Sequence, residues 1–200
     1  MNYLAHLFLA GDTPESLIGN LAGDFVKGVL HDDQFTPGIR AGIRQHRRID
    51  AFTDAHPHVA AFRRVLIPEH GHYARVIADV FFDHFLASSW PRYGEVPLEA
   101  FLDRVFAAID PHEGELPGRL RHIYPRMRDE GWLRMYADIG AVHLALSNLS
   151  NRLSRHPHLE TATRHLIDSR RELERRFHDF FPDVVAFARH EEHPGNVRPE

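Results

Sequence analysis

Four stretches of this 200-residue chain place acids and imidazoles one helical turn apart, at positions where an amphipathic helix would otherwise carry apolar groups. His46, Asp50 and Asp54 stand at i, i+4 and i+8, flanked by Ile39, Ile43, Ile49 and Phe52. Asp79 and Asp83 are again four apart, inside Val-Phe-Phe-Asp-His-Phe-Leu, with His84 next along the chain. Asn20 and Asp24 share a side with Leu17, Leu21 and Phe25, and Asn2 and His6 share one in the apolar amino terminus. Burying an unpaired carboxylate costs several kcal/mol, roughly, so acids set among such bulk need a partner, and a cation is the economical one. Asp54, beside His56-Pro57, reads as a local cap or surface acid and is set aside.

Any such cation must sit among nitrogen and oxygen ligands. The chain has no cysteine, which removes disulfides, thiolate zinc sites, iron–sulfur clusters and a cysteine nucleophile together. Several helices each offering a His or Asp toward the bundle interior is how metal sites are built in helical proteins. The competing reading at each position is a polar pair between helices, satisfied by arginines such as Arg47 and Arg48. A lone Asn20–Asp24 pair favours that reading; the set of four favours a divalent metal.

The elements that must position these groups are helical, with no alternating strand pattern of useful length. Thr13-Pro14-Glu15 opens a helix to about Lys27, closed by Gly28, and Thr36-Pro37 opens one to about Ala55. A shorter segment follows His56-Pro57 to near Ile67, then a long helix from about His70 to Ser89 and another from Pro97 to Ile109. Asp110 to Pro117 reads as a loop, and Leu116–Asp129, Ile139–Leu153, Leu159–Phe181 and Asp183–His190 as further helices. The expected fold class is all-α, a single-domain helical bundle over residues 1–192 with a frayed tail at 193–200.

No apolar run approaches the roughly 20 residues needed to span a bilayer, and the amino terminus lacks a secretory pattern, so a cytoplasmic protein without a membrane partner is expected. A formal charge of −4 argues against nucleic acid as a partner. Lys27 is the sole lysine among 24 basic residues, and Arg40, Arg44, Arg47 and Arg48 flank the His46 ladder. Arginines beside a metal suit phosphate or an acidic partner; the alternative is a solvated basic face.

The segments Asn2-Tyr3-Leu4-Ala5-His6-Leu7, Gly19-Asn20-Leu21-Ala22-Gly23-Asp24-Phe25-Val26, His46-Arg47-Arg48-Ile49-Asp50 and Asp83-His84-Phe85-Leu86 resemble, in order, those of the acyl carrier protein phosphodiesterase family. The resemblance extends through Trp132–Asp138 and Phe177–Pro182, covering roughly residues 1 to 185. It implies hydrolysis of the phosphodiester joining 4′-phosphopantetheine to a serine of holo acyl carrier protein, within fatty acid metabolism, with a divalent cation, manganese first and magnesium or iron as alternatives. That family looks like a divergent relative of the HD phosphohydrolases, whose metal is held by an adjacent His-Asp pair among other ligands. Here the order is reversed, Asp83-His84, and adjacent helix residues point about 100° apart, so the site carries over while its ligand geometry stays open. Lys27 and Gly23 also depart from the pattern, neither expected to touch the ligands.

The resulting assignment puts Asp24, His46, Asp83 and His84 in or beside the metal shell. Asp50 orients water or a ligand, His6 acts nearby as acid or supporting partner, and Arg44, Arg47 and Arg48 bind substrate. Two other readings stand beside it: an HD-type nucleotide phosphohydrolase, and a non-enzymatic helical binding protein. Oligomeric state stays open.

Overall fold

The computed structural model describes residues 1–153 and 157–192. The tail expected from residue 193 lies outside them. The described residues are all-α, in eleven α-helices joined by short 3-10 turns: α1 Tyr3–Phe8, α2 Pro14–Ala22, α3 Pro37–Ala55, α4 Pro57–His70, α5 Ala74–Ser88, α6 Leu98–Ile109, α7 Gly118–Asp129, α8 Trp132–Met135, α9 Ile139–Ser150, α10 His165–Asp168 and α11 Arg170–Glu192. No helix among them is long and apolar enough to cross a membrane.

The threonine-proline signals act as expected. The Thr13 hydroxyl accepts from the Ser16 amide and the Thr36 hydroxyl from the Ile39 amide, each followed by a proline whose missing N–H costs nothing there. α2 and α3 then cross with backbones almost touching. A Cβ added to Gly19 would meet the Ile39 carbonyl oxygen at 2.5 Å and the Gly42 Cα at 2.7 Å, so only glycine fits this crossing.

α5 is the central helix: eleven of its residues are buried, Asp83 and His84 among them. Its Phe81, Phe82 and Phe85 meet Phe62 of α4 edge to face, and Phe177 and Phe180 of α11 complete the aromatic core.

Several boundaries differ from the sequence reading; α4 runs on to His70, so α5 begins at Ala74 instead of His70. α2 stops at Ala22 and tightens into a 3-10 turn over Gly23–Phe25, which leaves Asp24 at a helix end instead of inside the helix. The stretch expected as one helix from Leu159 to Phe181 is a 3-10 segment, Leu159–Arg164, then α10 and the start of α11. α11 in turn runs straight through Pro182, where a break was expected. Phe177, Phe180, Phe181, Val184 and Ala188 form one buried stripe across the proline, and that burial outweighs one lost backbone bond.

Candidate metal centre and its cleft

His6 from α1 and His46 and Asp50 from α3 meet at one point. Asp50 stands between the two imidazoles: Oδ1 lies 3.2 Å from His6 Nε2, and Oδ2 lies 3.5 Å from His46 Nε2. Ligand atoms of the three residues all lie within 4.8 Å of one another. Asp24 joins from the 3-10 turn, its Oδ1 3.7 Å from His46 Nε2. Both histidines are buried, whereas Asp50 and Asp24 remain partly open to solvent.

The local fold fixes these side chains closely. His46 Nδ1 lies 2.7 Å from the Asn20 carbonyl oxygen, so Nδ1–H donates to it and Nε2 is aimed at the acids. Gly23 makes room for the ring: a Cβ there would lie 2.2 Å from His46 Cγ. The expectation that Gly23 stands clear of the ligands is therefore overturned, because the 3-10 turn lays its backbone flat against the imidazole.

Burial lowers the proton affinity of His46, but Asp24 and Asp50 outweigh it and lift its pKa to about 9. His6, buried and facing a cationic His46, is pushed down to about 3 despite Asp50. Burial works to raise Asp50, yet the two imidazoles hold it well below the usual carboxylate range. Asp24 is likewise lowered, His46 overcoming its burial. Within the pair, proton affinity is thus drawn to His46, beside the two carboxylates.

A third carboxylate, Asp79, faces the same place; the sequence reading noted its spacing from Asp83 but gave it no role in the site. The Met1 α-amino group lies 2.8 Å from Asp50 Oδ1 and 3.3 Å from Asp79 Oδ1. The signal for Asp79 was its four-residue spacing from Asp83, but that spacing points the two acids to different neighbours.

Asp83 does something else. Fully buried, it accepts the Leu4 amide on Oδ2 and the Ala5 amide on Oδ1, both at 2.9 Å, and so ties the start of α1 to α5. Burial pushes its pKa up to about 7, against the pull of those two amides. His84 turns the other way, its Nδ1 2.8 Å from the Tyr136 carbonyl oxygen. Of the residues assigned from the sequence, the structure brings His6, Asp24, His46 and Asp50 together and sets Asp83 and His84 apart.

The arginines are also redistributed. Arg47 donates to the Val26 and Gly28 carbonyls at 2.8 and 3.0 Å, bracing the chain after the 3-10 turn. Arg48 pairs with Glu191, and Arg44 is exposed on α3. A cleft of about 600 Å³ opens at Asp24, Asp50 and Asp79, and the arginines on it are Arg75, Arg126 and Arg152. Its farther walls are apolar, with Ile123, Trp132, Met135, Leu144 and Leu149.

Two imidazoles and up to three carboxylates, all oxygen and nitrogen donors, fit a divalent ion of the manganese, magnesium or iron type. His6 Nδ1, buried, has no hydrogen-bond partner, consistent with a site built for more than its internal bonds.

The sequence model of a family described as acyl carrier protein phosphodiesterase matches residues 1–184. The chain belongs to that family. An acyl carrier protein phosphodiesterase of Serratia proteamaculans (strain 568) is 35% identical over 193 residues, which is 94% of this chain and 98% of the relative. One from Escherichia coli O139:H28 is 34% identical over 191 residues, covering 95% and 98%, and one from Escherichia coli O157:H7 is 34% identical over 189, covering 94% and 97%. No solved structure matches the chain. Membership makes the chain a phosphodiesterase by class, and the family match takes in every residue of the candidate centre and all of the cleft.

Proposed function

We propose that this chain removes 4′-phosphopantetheine from holo acyl carrier protein by hydrolysing its phosphodiester link to serine, leaving apo acyl carrier protein. The observation that carries this reading is the continuity of the cleft. Its acidic end is lined by Asp24, Asp50 and Asp79, with the buried His6 and His46 imidazoles against Asp50, and its remainder is largely an apolar trough edged by arginines. A phosphodiester joined to an extended arm of short alkyl segments and amides needs both parts in one groove.

A divalent cation, manganese first, is part of the proposal; it supplies neutralisation of the phosphate charge and a more acidic water. His6, His46 and Asp50 would hold it, with Asp24 at the open edge. Asn20 keeps His46 Nε2 directed inward through its carbonyl. Asp50 keeps both rings in register, one oxygen to each. The trough takes the pantetheine arm and excludes water from it, while Arg126 and Arg152 meet the acidic face of the carrier protein.

Kinship with the HD phosphohydrolases belongs to the same proposal, supported by the all-helical frame and the His and Asp donor chemistry. So does action in the cytoplasm. The test is to incubate the protein with holo acyl carrier protein and manganese and weigh the carrier protein by mass spectrometry. Loss of the phosphopantetheine mass is expected; an unchanged mass, or turnover of nucleotides instead, would sink the reading.

A further inference from the structure

Away from the cleft, the C-terminal end of α4 meets the start of α10. His70 closes α4, and His165 opens α10 after the 3-10 segment Leu159–Arg164. The two rings pack edge to face with centroids 5.5 Å apart, and Glu69 lies beside them, its Oε1 3.6 Å from His165 Nε2. Ligand atoms of Glu69, His70 and His165 lie within 4.8 Å of one another, and none of the three lines the cleft.

Both imidazoles are more than nine-tenths buried, His70 at 9% and His165 at 8% exposure, and the Nε2 of each has no hydrogen-bond partner. Two buried imidazole nitrogens without hydrogen bonds, beside one carboxylate, would be a costly way to fill a core. Burial lowers the proton affinity of both, helped at His70 by His165 and at His165 by Arg164. The other oxygen of Glu69 pairs with Arg164, which holds the carboxylate in place.

We infer that Glu69, His70 and His165 form a second metal site, suited to zinc. Two imidazoles and one carboxylate are a common zinc donor set, with water able to complete a tetrahedron. The site spans nearly a hundred residues of sequence and would staple the 3-10 segment, which packs on α9, to the corner between α4 and α5. Manganese, which prefers more oxygen donors, should compete poorly there.

The experiment uses full-length protein carrying His46→Ala and Asp50→Asn, so that the cleft site is disabled and failure of the phosphodiesterase reading cannot be confused with failure of this one. After chelation and dialysis, zinc is titrated against a chromophoric competitor, and the zinc-loaded protein is measured by X-ray absorption. One equivalent of zinc with two imidazole nitrogens in its shell is expected, together with a zinc-dependent rise in melting temperature. His70→Gln and His165→Gln, each introduced separately, should weaken binding about tenfold or more. Should neither variant stay folded, the absorption spectrum of the parent protein still decides. Absence of stoichiometric zinc, a shell without imidazole, or affinity unchanged by both glutamines would overturn the inference.

Discussion

His6 and His46 stack with ring centroids 3.7 Å apart and 17° between their planes, and the two oxygens of Asp50 face one ring each. Stacking disfavours charge on both rings at once, so the arrangement separates their roles: Asp24 and Asp50 draw proton affinity to His46, raising its pKa to about 9, while burial and His46 push His6 down to about 3.

Replacing His46 with alanine or Asp50 with asparagine should reduce turnover of holo acyl carrier protein by about a hundredfold or more while helical circular dichroism stays at the parent level. Parent-level activity in both variants would remove the cluster from the chemistry.

Proton linkage at His46 has a definite sign. Its pKa rises from an ordinary 6.5 to about 9 in the fold, so its contribution to the stability of chelator-treated protein is complete below pH 6.5 and is lost as pH climbs through 9. Melting temperature should fall across that interval, and less so in His46→Asn. Manganese binding at neutral pH should release a proton, visible by calorimetry as a heat that depends on buffer ionisation enthalpy.

Gly23→Ala tests the 3-10 turn. Helix propensity alone would favour alanine by about 1 kcal/mol, but the added Cβ would lie 2.2 Å from His46 Cγ and must displace the ring. Manganese affinity and activity should drop about tenfold or more, with stability nearly unchanged.

Asp83→Ala should instead cost stability, about 1–3 kcal/mol in denaturant unfolding, because two buried amides lose their acceptor. Metal content should match the parent; a lost ion at full stability would return Asp83 to the shell. In the parent, a carboxyl raised from 3.8 to about 7 makes stability fall as pH rises from about 4 to 7, since the unfolded chain gives up that proton first.

Charge reversal at Arg126 and Arg152 together should raise KM for holo acyl carrier protein several-fold, more at low salt, with kcat little changed. An effect confined to kcat would move these arginines from docking to chemistry.

The helices were legible where local chemistry sets them. Thr13-Pro14 and Thr36-Pro37 mark true starts, and α3 ends at Ala55 as its pattern implies. His46 and Asp50 were legible because one helix face carries both. The rest depends on contacts between distant residues. Asp83 meets the Leu4 and Ala5 amides almost eighty positions away, and the cleft arginines come from α5, α7 and the residues after α9. Periodicity shows which way a side chain leaves its own helix, but not whether an ion, an amide or an arginine waits there. Pro182 shows the converse, a strong local stop signal overruled by five buried apolar neighbours.

The contact between Gly19 and Gly42 bears on how the centre could drift over evolution. Where two helices are separated by side chains, each repacking of those side chains resets the gap between them. Here main chain rests on main chain, so the offset between the turn bearing Asp24 and the face bearing His46 is gauged by atoms that no substitution other than of the glycines themselves can resize. The rest of the core is free to change composition around that fixed gauge.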